Sequence, residues 1–284
     1  MLEWKKRHLY GAAGILQLRI FREVLLLKKN HPYSRDLLYL HMNERDHYVL
    51  SHGIEFHEFS RSLPDPFNHL LLLKHRYEDG EFNRHTLFEY VPGDSAEKLV
   101  GANVHAYGDF CWIDFEEVEA LNVLTAQEIA ELLYLGHIKH HLKLPFYNQL
   151  NNRFVYLSNE DGWFNKIYYR NFNDFFRMLG NVLSGKLGEM KPEKTLLGIR
   201  KKKSYPSVSK EILKSLIPAL KEGAVFSLKN IQQNRNKIEI PIWIIGDFAN
   251  MDDMQDEYKE ASRSNPDGRL VFDKKLKEWS LLAQ

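Results

Sequence analysis

Three histidines lie close together in a segment whose pattern predicts an amphipathic helix. Residues 125–128, Thr-Ala-Gln-Glu, match a capping box, in which a hydroxyl and a glutamate three positions later satisfy the first backbone N–H groups of a helix. The helix is predicted to run to about Leu142. With 3.6 residues per turn, His137, His140 and His141 extend the apolar face of this helix and not its charged face.

The spacing of these histidines is compatible with metal binding. His137 and His141 are four residues apart, which lets two imidazoles on one helix face hold one divalent metal ion. The zinc-protease motif needs a glutamate beside the first histidine, and Ile138 stands there instead. Further ligands would come from the acidic residues Asp109, Asp114 and Glu116. The alternative is that the histidines are half-buried packing residues near a helix C-terminus, where a positive ring is tolerated.

Charge is unevenly distributed along the chain. Residues 99–138 contain no Lys or Arg and carry a formal charge of −7, whereas residues 191–237 carry +9. The basic span includes a candidate contact for an anionic partner, formed by Arg200, Lys201, Lys202 and Lys203. The two charged stretches are expected to face each other or to bind a partner. Nucleic-acid binding is the less favoured interpretation, because the whole chain has a net charge of only +1 and Tyr205 is the one aromatic residue near the basic run.

Several functional classes lack their sequence signals. The chain has no P-loop, no dinucleotide-binding glycine fingerprint and no Gly-x-Ser-x-Gly nucleophile motif. Its one cysteine, Cys111, lies in an apolar run and is predicted to be a buried, inert thiol. Without a disulfide framework, a reducing compartment and therefore a cytoplasmic location are expected. No apolar stretch reaches the ~20 residues of a transmembrane helix.

The elements that would position these residues are mostly hairpins and helices. An amphipathic helix is predicted over residues 3–29, and a later one over 172–187. A strand of aromatic and β-favouring residues is predicted over 110–115. Turn residues between apolar runs predict three hairpins, which pair 37–42 with 47–50, 69–77 with 81–91, and 153–157 with 163–169.

This succession of hairpins and helices predicts an α+β fold with mainly antiparallel sheets. The predicted organisation is a larger α+β domain over residues 1–187, a basic linker over 188–208, and a smaller α+β domain over 209–284. The favoured function is a non-catalytic protein that binds a protein partner or regulates it. The alternatives are a metal-assisted hydrolase or transferase that uses the two histidines, and a nucleic-acid-binding regulator that uses the basic run.

Overall fold

The computed structural model describes residues 36–101, 108–137, 140–190, 193–194, 200–201 and 203–283. Within these ranges the chain forms the α+β fold that the sequence predicts, with helices packed on an antiparallel sheet. The helix predicted over residues 3–29 lies outside the described residues.

Most of the strands belong to one large sheet, and two short ones form a separate ribbon. The strands of the described ranges are β1 (Leu37–Asn43), β2 (Tyr48–His52), β3 (His69–Leu72), β4 (Glu81–Phe82), β5 (Glu89–Pro92), β6 (Phe110–Phe115), β7 (Phe154–Asn159), β8 (Phe164–Tyr169), β9 (Glu193–Lys194), β10 (Arg200–Lys201), β11 (Ala224–Ser227), β12 (Gln232–Gln233), β13 (Lys237–Ile244), β14 (Gly268–Asp273) and β15 (Glu278–Ala283). The helices are α1 (Phe56–Ser62), α2 (Gly93–Gly101), α3 (Ala126–Leu133), α4 (Phe172–Met190), α5 (Lys210–Lys214), α6 (Ile217–Glu222) and α7 (Met251–Ala261).

The large sheet is antiparallel throughout the described ranges. Its order is β15-β14-β13-β11-β1-β2-β8-β7-β6-β3-β5-β4, with β12 beside β13, and all the pairings are antiparallel. The halves β15 to β2 and β8 to β4 each contain a hairpin, two further strands and a second hairpin or strand pair. Each half contains a strand that directly follows a helix in the chain: β11 follows α6, and β3 follows α1.

Hydrophobic cores cover both faces of the sheet. One face holds the largest core, to which α1, α2, α4, α5 and α6 contribute. The other face carries two smaller cores, one containing Leu132 of α3 and the other containing Met254 and Tyr258 of α7. Leu50 of β2 packs against both of these smaller cores and marks the boundary between them.

The sheet also crosses the boundary predicted between the two domains. Leu38 of β1 pairs with Phe226 of β11, and the largest core draws residues from both parts of the chain. The segment predicted as a linker contacts α4, because the backbone N–H of Val208 donates to the carbonyl of Gly180 at 3.4 Å. The division into domains stays a prediction, and the two parts share one sheet.

The helix predicted from Thr125 begins as expected but is shorter. Its capping box is confirmed: Thr125 Oγ1 accepts from the N–H of Glu128 at 3.2 Å, and the N–H of Thr125 donates to Glu128 Oε2 at 2.8 Å. However, α3 ends at Leu133 and not near Leu142. The physical reason is that Leu135 turns into the core beneath α3, and the following Gly136 favours helix weakly.

The hairpin predicted for residues 69–77 and 81–91 is also different in the structure. Strand β3 ends at Leu72 and pairs with β5, while β4 contains only two residues and forms the outer edge of the sheet. The predicted second strand is interrupted by a compact turn over residues 83–88, in which the N–H of Leu87 donates to the carbonyl of Asn83 at 2.8 Å.

Candidate functional site

The structure does not bring the five predicted metal ligands into one site. His137 ends a short 3₁₀ turn and is exposed, and His141 lies beyond the end of α3, so the two do not share a helix face. Asp109 pairs with Lys74 at 3.5 Å, and Glu116 is exposed after β6. Among the residues that the structure describes, no group of three or more His, Cys, Asp or Glu side chains could hold a metal ion.

The fifth predicted ligand, Asp114, is committed to holding strands together. Its side chain is buried in β6, and its Oδ1 accepts from the backbone N–H groups of Arg153 and Phe154, each at 2.9 Å. Its Oδ2 accepts from Arg153 Nε at 2.9 Å. The Arg153 guanidinium also donates to the carbonyls of Asp65 and Pro66. Burial raises the pKa of the Asp114 carboxyl, and the N–H donors and the guanidinium act in the opposite direction. Asp114 therefore has a structural role.

His141 contacts groups that the sequence did not associate with it. Its Nδ1 lies 3.2 Å from Lys166 Nζ, and its Nε2 lies 3.8 Å from Asp46 Oδ2. The imidazole also stacks on the Tyr48 ring, with the two centroids 5.2 Å apart. Asp46 and Tyr48 come from the β1–β2 hairpin and Lys166 from β8, so only the folded sheet brings them to His141.

The basic run is described in part. Arg200 and Lys201 form β10, which pairs with β9, and Lys202 lies outside the described residues. The backbone N–H of Lys203 donates to the carbonyl of Gly188, and its Nζ lies 5.6 Å from the centroid of the Tyr205 ring. Binding of an anionic partner by this run stays a prediction.

A leucine on the edge of the sheet is held in an unusual conformation. Leu87 has a φ of 62°, in the left-handed region that a leucine rarely adopts, yet its side chain is 68% exposed. The buried Asn83 side chain fixes this turn: its Oδ1 accepts from the N–H of His85, the N–H of Thr86 and the hydroxyl of Thr86, at 2.9–3.1 Å. Local backbone strain of this kind concentrates at functional positions.

Two more exposed apolar side chains belong to the same part of the molecule. Phe82 is 53% exposed and Val123 is 61% exposed. The residue after Phe82 and the residue before Val123 are hydrogen-bonded, since Asn83 Nδ2 donates to Asn122 Oδ1 at 2.9 Å. We define the Leu87 surface as Leu87 and Val123 together with Glu81 and Glu119; Phe82 follows Glu81 in β4 and therefore lies on the opposite face of the sheet edge.

The two glutamates give the Leu87 surface a negative charge. Tyr90 donates to Glu81 Oε2 at 2.5 Å, and burial, this hydrogen bond and the charges of Glu81 and Glu119 raise the pKa of Tyr90 to about 12. Both carboxylates therefore raise the pKa of the same phenol, that of Tyr90. In the sequence, Leu87 looks like one more apolar strand residue, and the signal for the turn is the pair Asn83 and Thr86, typical of a turn in which a side chain bonds the backbone.

Comparison of the chain with families of known proteins, with curated proteins and with solved structures gave no match. In the part of the chain that the structure describes, no helix combines the length and the apolar character needed to cross a membrane.

Proposed function

We propose that this chain is a non-catalytic protein that binds a protein partner through the Leu87 surface. The observation that carries the proposal is the exposure of Leu87 at a positive φ. A fold that needed only a turn at this position would accept Asn or Gly with less strain. Because strained backbone concentrates at functional positions, we take this strained and exposed apolar side chain as the contact for another molecule.

The chemistry of the surface defines the partner. Leu87 and Val123 offer two separate apolar side chains, and burying one side chain of this size contributes about 1.5–3 kcal/mol. Glu81 and Glu119 supply negative charge beside them. The partner surface is therefore expected to combine an apolar pocket with Lys or Arg at its rim, because complementary charge favours encounter and register.

A cytoplasmic location is part of this proposal. Cys111 is a free, buried thiol, and burial raises its pKa, which keeps it protonated and unreactive. A single inert thiol is compatible with a reducing compartment.

Leu87→Asn is expected to weaken partner binding at least tenfold while the fold is kept or becomes more stable. Asparagine tolerates the left-handed conformation, so relief of strain is expected to raise the free energy of unfolding by about 0.5–1 kcal/mol. Chemical denaturation measures the stability. A photo-crosslinking amino acid at position 123, in the wild-type and Leu87→Asn backgrounds, measures partner capture in extracts of the source cells.

The matched control is Leu276→Asn. Leu276 is 64% exposed in the turn between β14 and β15, outside the Leu87 surface, and this variant is expected to capture the partner as the wild type does. Equal capture by wild type and Leu87→Asn would contradict the proposal, as would a loss of capture in both variants.

A further inference from the structure

A half-buried lysine lies on the face of the sheet that carries the two smaller cores. Lys166 stands at the middle of β8, opposite Leu50 of β2 and Leu157 of β7. These three residues are half-buried, whereas most of their neighbours in the same strands are buried. The row they form runs across the sheet at the boundary of the two smaller cores, and we call it the Lys166 row.

The amine has unusual partners for a half-buried lysine. Its Nζ lies 3.2 Å from His141 Nδ1, 4.2 Å from the centroid of the Tyr48 ring and 5.0 Å from that of the Tyr168 ring. Among the described residues, no carboxylate is within ion-pair distance of this Nζ. Asp46 lies on the other side of the His141 ring, where its Oδ2 is 3.8 Å from Nε2. A desolvated amine without a paired carboxylate is the usual environment of a lysine that acts as a nucleophile.

The histidine is oriented to accept a proton. With Asp46 near Nε2, the neutral imidazole that fits carries its hydrogen on Nε2 and leaves Nδ1 as an acceptor toward Lys166. Desolvation lowers the pKa of the Lys166 amine, and the charge of Asp46 opposes this shift. The groups that face the amine are thus Asp46 and Tyr48 from the β1–β2 hairpin, Tyr168 from β8, and His141.

We propose that Lys166 forms an imine with the carbonyl group of a small, uncharged aldehyde, with His141 as the proton acceptor. The amine lone pair attacks the carbonyl carbon, the nitrogen gives one proton to His141, and the carbonyl oxygen takes a proton from water to form a carbinolamine. His141 then returns its proton to the hydroxyl group of the carbinolamine, and the second nitrogen proton passes to the hydroxide in the solvent. Water then leaves, and a C=N bond to Nζ replaces the C=O bond. Leu50 and Leu157 flank Lys166 in the neighbouring strands and the two tyrosine rings lie beside its amine, which makes its surroundings largely apolar, and the Asp46 carboxylate disfavours an anionic substrate.

Reductive trapping tests the proposal on the full chain. Propionaldehyde with sodium cyanoborohydride at pH 7 converts any imine to a stable secondary amine, and peptide mass mapping gives the rate at each lysine. Lys166 is expected to be alkylated about tenfold faster than the exposed Lys275 of the β14–β15 turn, because desolvation lowers the pKa of the Lys166 amine and His141 accepts its proton. A rate at Lys166 equal to or below that at Lys275 at every pH between 6 and 9 would overturn the proposal.

The role of His141 needs a separate variant. His141→Gln keeps an acceptor near Nζ but cannot take up a proton, and alkylation of Lys166 is expected to slow at least tenfold, with its pH profile displaced to higher pH. Alkylation of Lys275 should not change in this variant, nor in the control Asp256→Asn, which alters an exposed carboxylate in α7. An unchanged rate and pH profile at Lys166 in His141→Gln would overturn the assignment of His141.

Discussion

Asp114→Ala is expected to lower the free energy of unfolding by about 3–5 kcal/mol. The substitution removes the acceptor of two buried backbone N–H groups and the partner of the Arg153 guanidinium at once. The cost comes mainly from the two N–H groups left without an acceptor, and the partly exposed Arg153 guanidinium also loses its carboxylate partner. Urea denaturation followed by circular dichroism measures the change.

Two companion variants separate the charge from the hydrogen bonds. Asp114→Asn keeps an oxygen for the N–H groups of Arg153 and Phe154, so its cost should be smaller than that of the alanine variant. Glu116→Ala, two positions away on an exposed side chain, is expected to stay within ±0.5 kcal/mol of the wild type. If Asp114→Ala were as stable as Glu116→Ala, the structural role of Asp114 would be wrong.

Gly180→Ala is expected to destabilise the protein by about 1–3 kcal/mol or more. A Cβ atom at Gly180 would lie 2.2 Å from the carbonyl oxygen of Val208 and 2.8 Å from the hydroxyl of Ser207, so α4 would have to move away from residues 207–208. Overpacking against backbone is costly because a backbone carbonyl cannot rotate aside as a flexible side chain can. Thermal unfolding measures the change.

The same helix contains the matched control. A Cβ atom at Gly185 meets no atom within 4 Å, so Gly185→Ala is expected to stabilise the protein by about 0.5–1 kcal/mol through helix propensity alone. If the two alanine variants had equal stability, residues 207–208 would not be packed on α4. The segment would then behave as the free linker that the sequence predicts.

Local signals in the sequence predicted the fold class and several elements correctly. The capping box at Thr125, the β1–β2 and β7–β8 hairpins and the antiparallel character all depend on residues that are neighbours in the chain. The predicted histidine site placed His137 and His141 on one face of a helix that continued to about Leu142, whereas α3 ends at Leu133. The end of the helix depends on how Leu135 packs into the core that also contains Leu132, and the periodicity of apolar residues does not reveal that packing.

The candidate sites were hidden from the sequence because they depend on pairing between distant strands. Lys166 reaches His141 and Tyr48 only through the register of β2 with β8. Asp114 meets Arg153 only because β6 pairs with β7. For Leu87 the local turn signal was present in Asn83 and Thr86. The alternating apolar residues around it nevertheless favoured a continuous strand, and single-sequence patterns cannot distinguish these two outcomes.

The position of β1 in the sheet has a consequence for the order of events during synthesis. One edge of β1 pairs with β2, which follows it directly in the chain. Its other edge pairs with β11, so Leu37 cannot find its partner Ser227 until that residue has been synthesised. At about 5–20 residues per second, a ribosome needs on the order of ten seconds or more to make the intervening chain. During that time β1, which contains three leucines, has one edge without a partner strand. Such an open apolar edge promotes aggregation of nascent chains. Chaperone protection of β1 therefore has its greatest value before Ala224 leaves the ribosome.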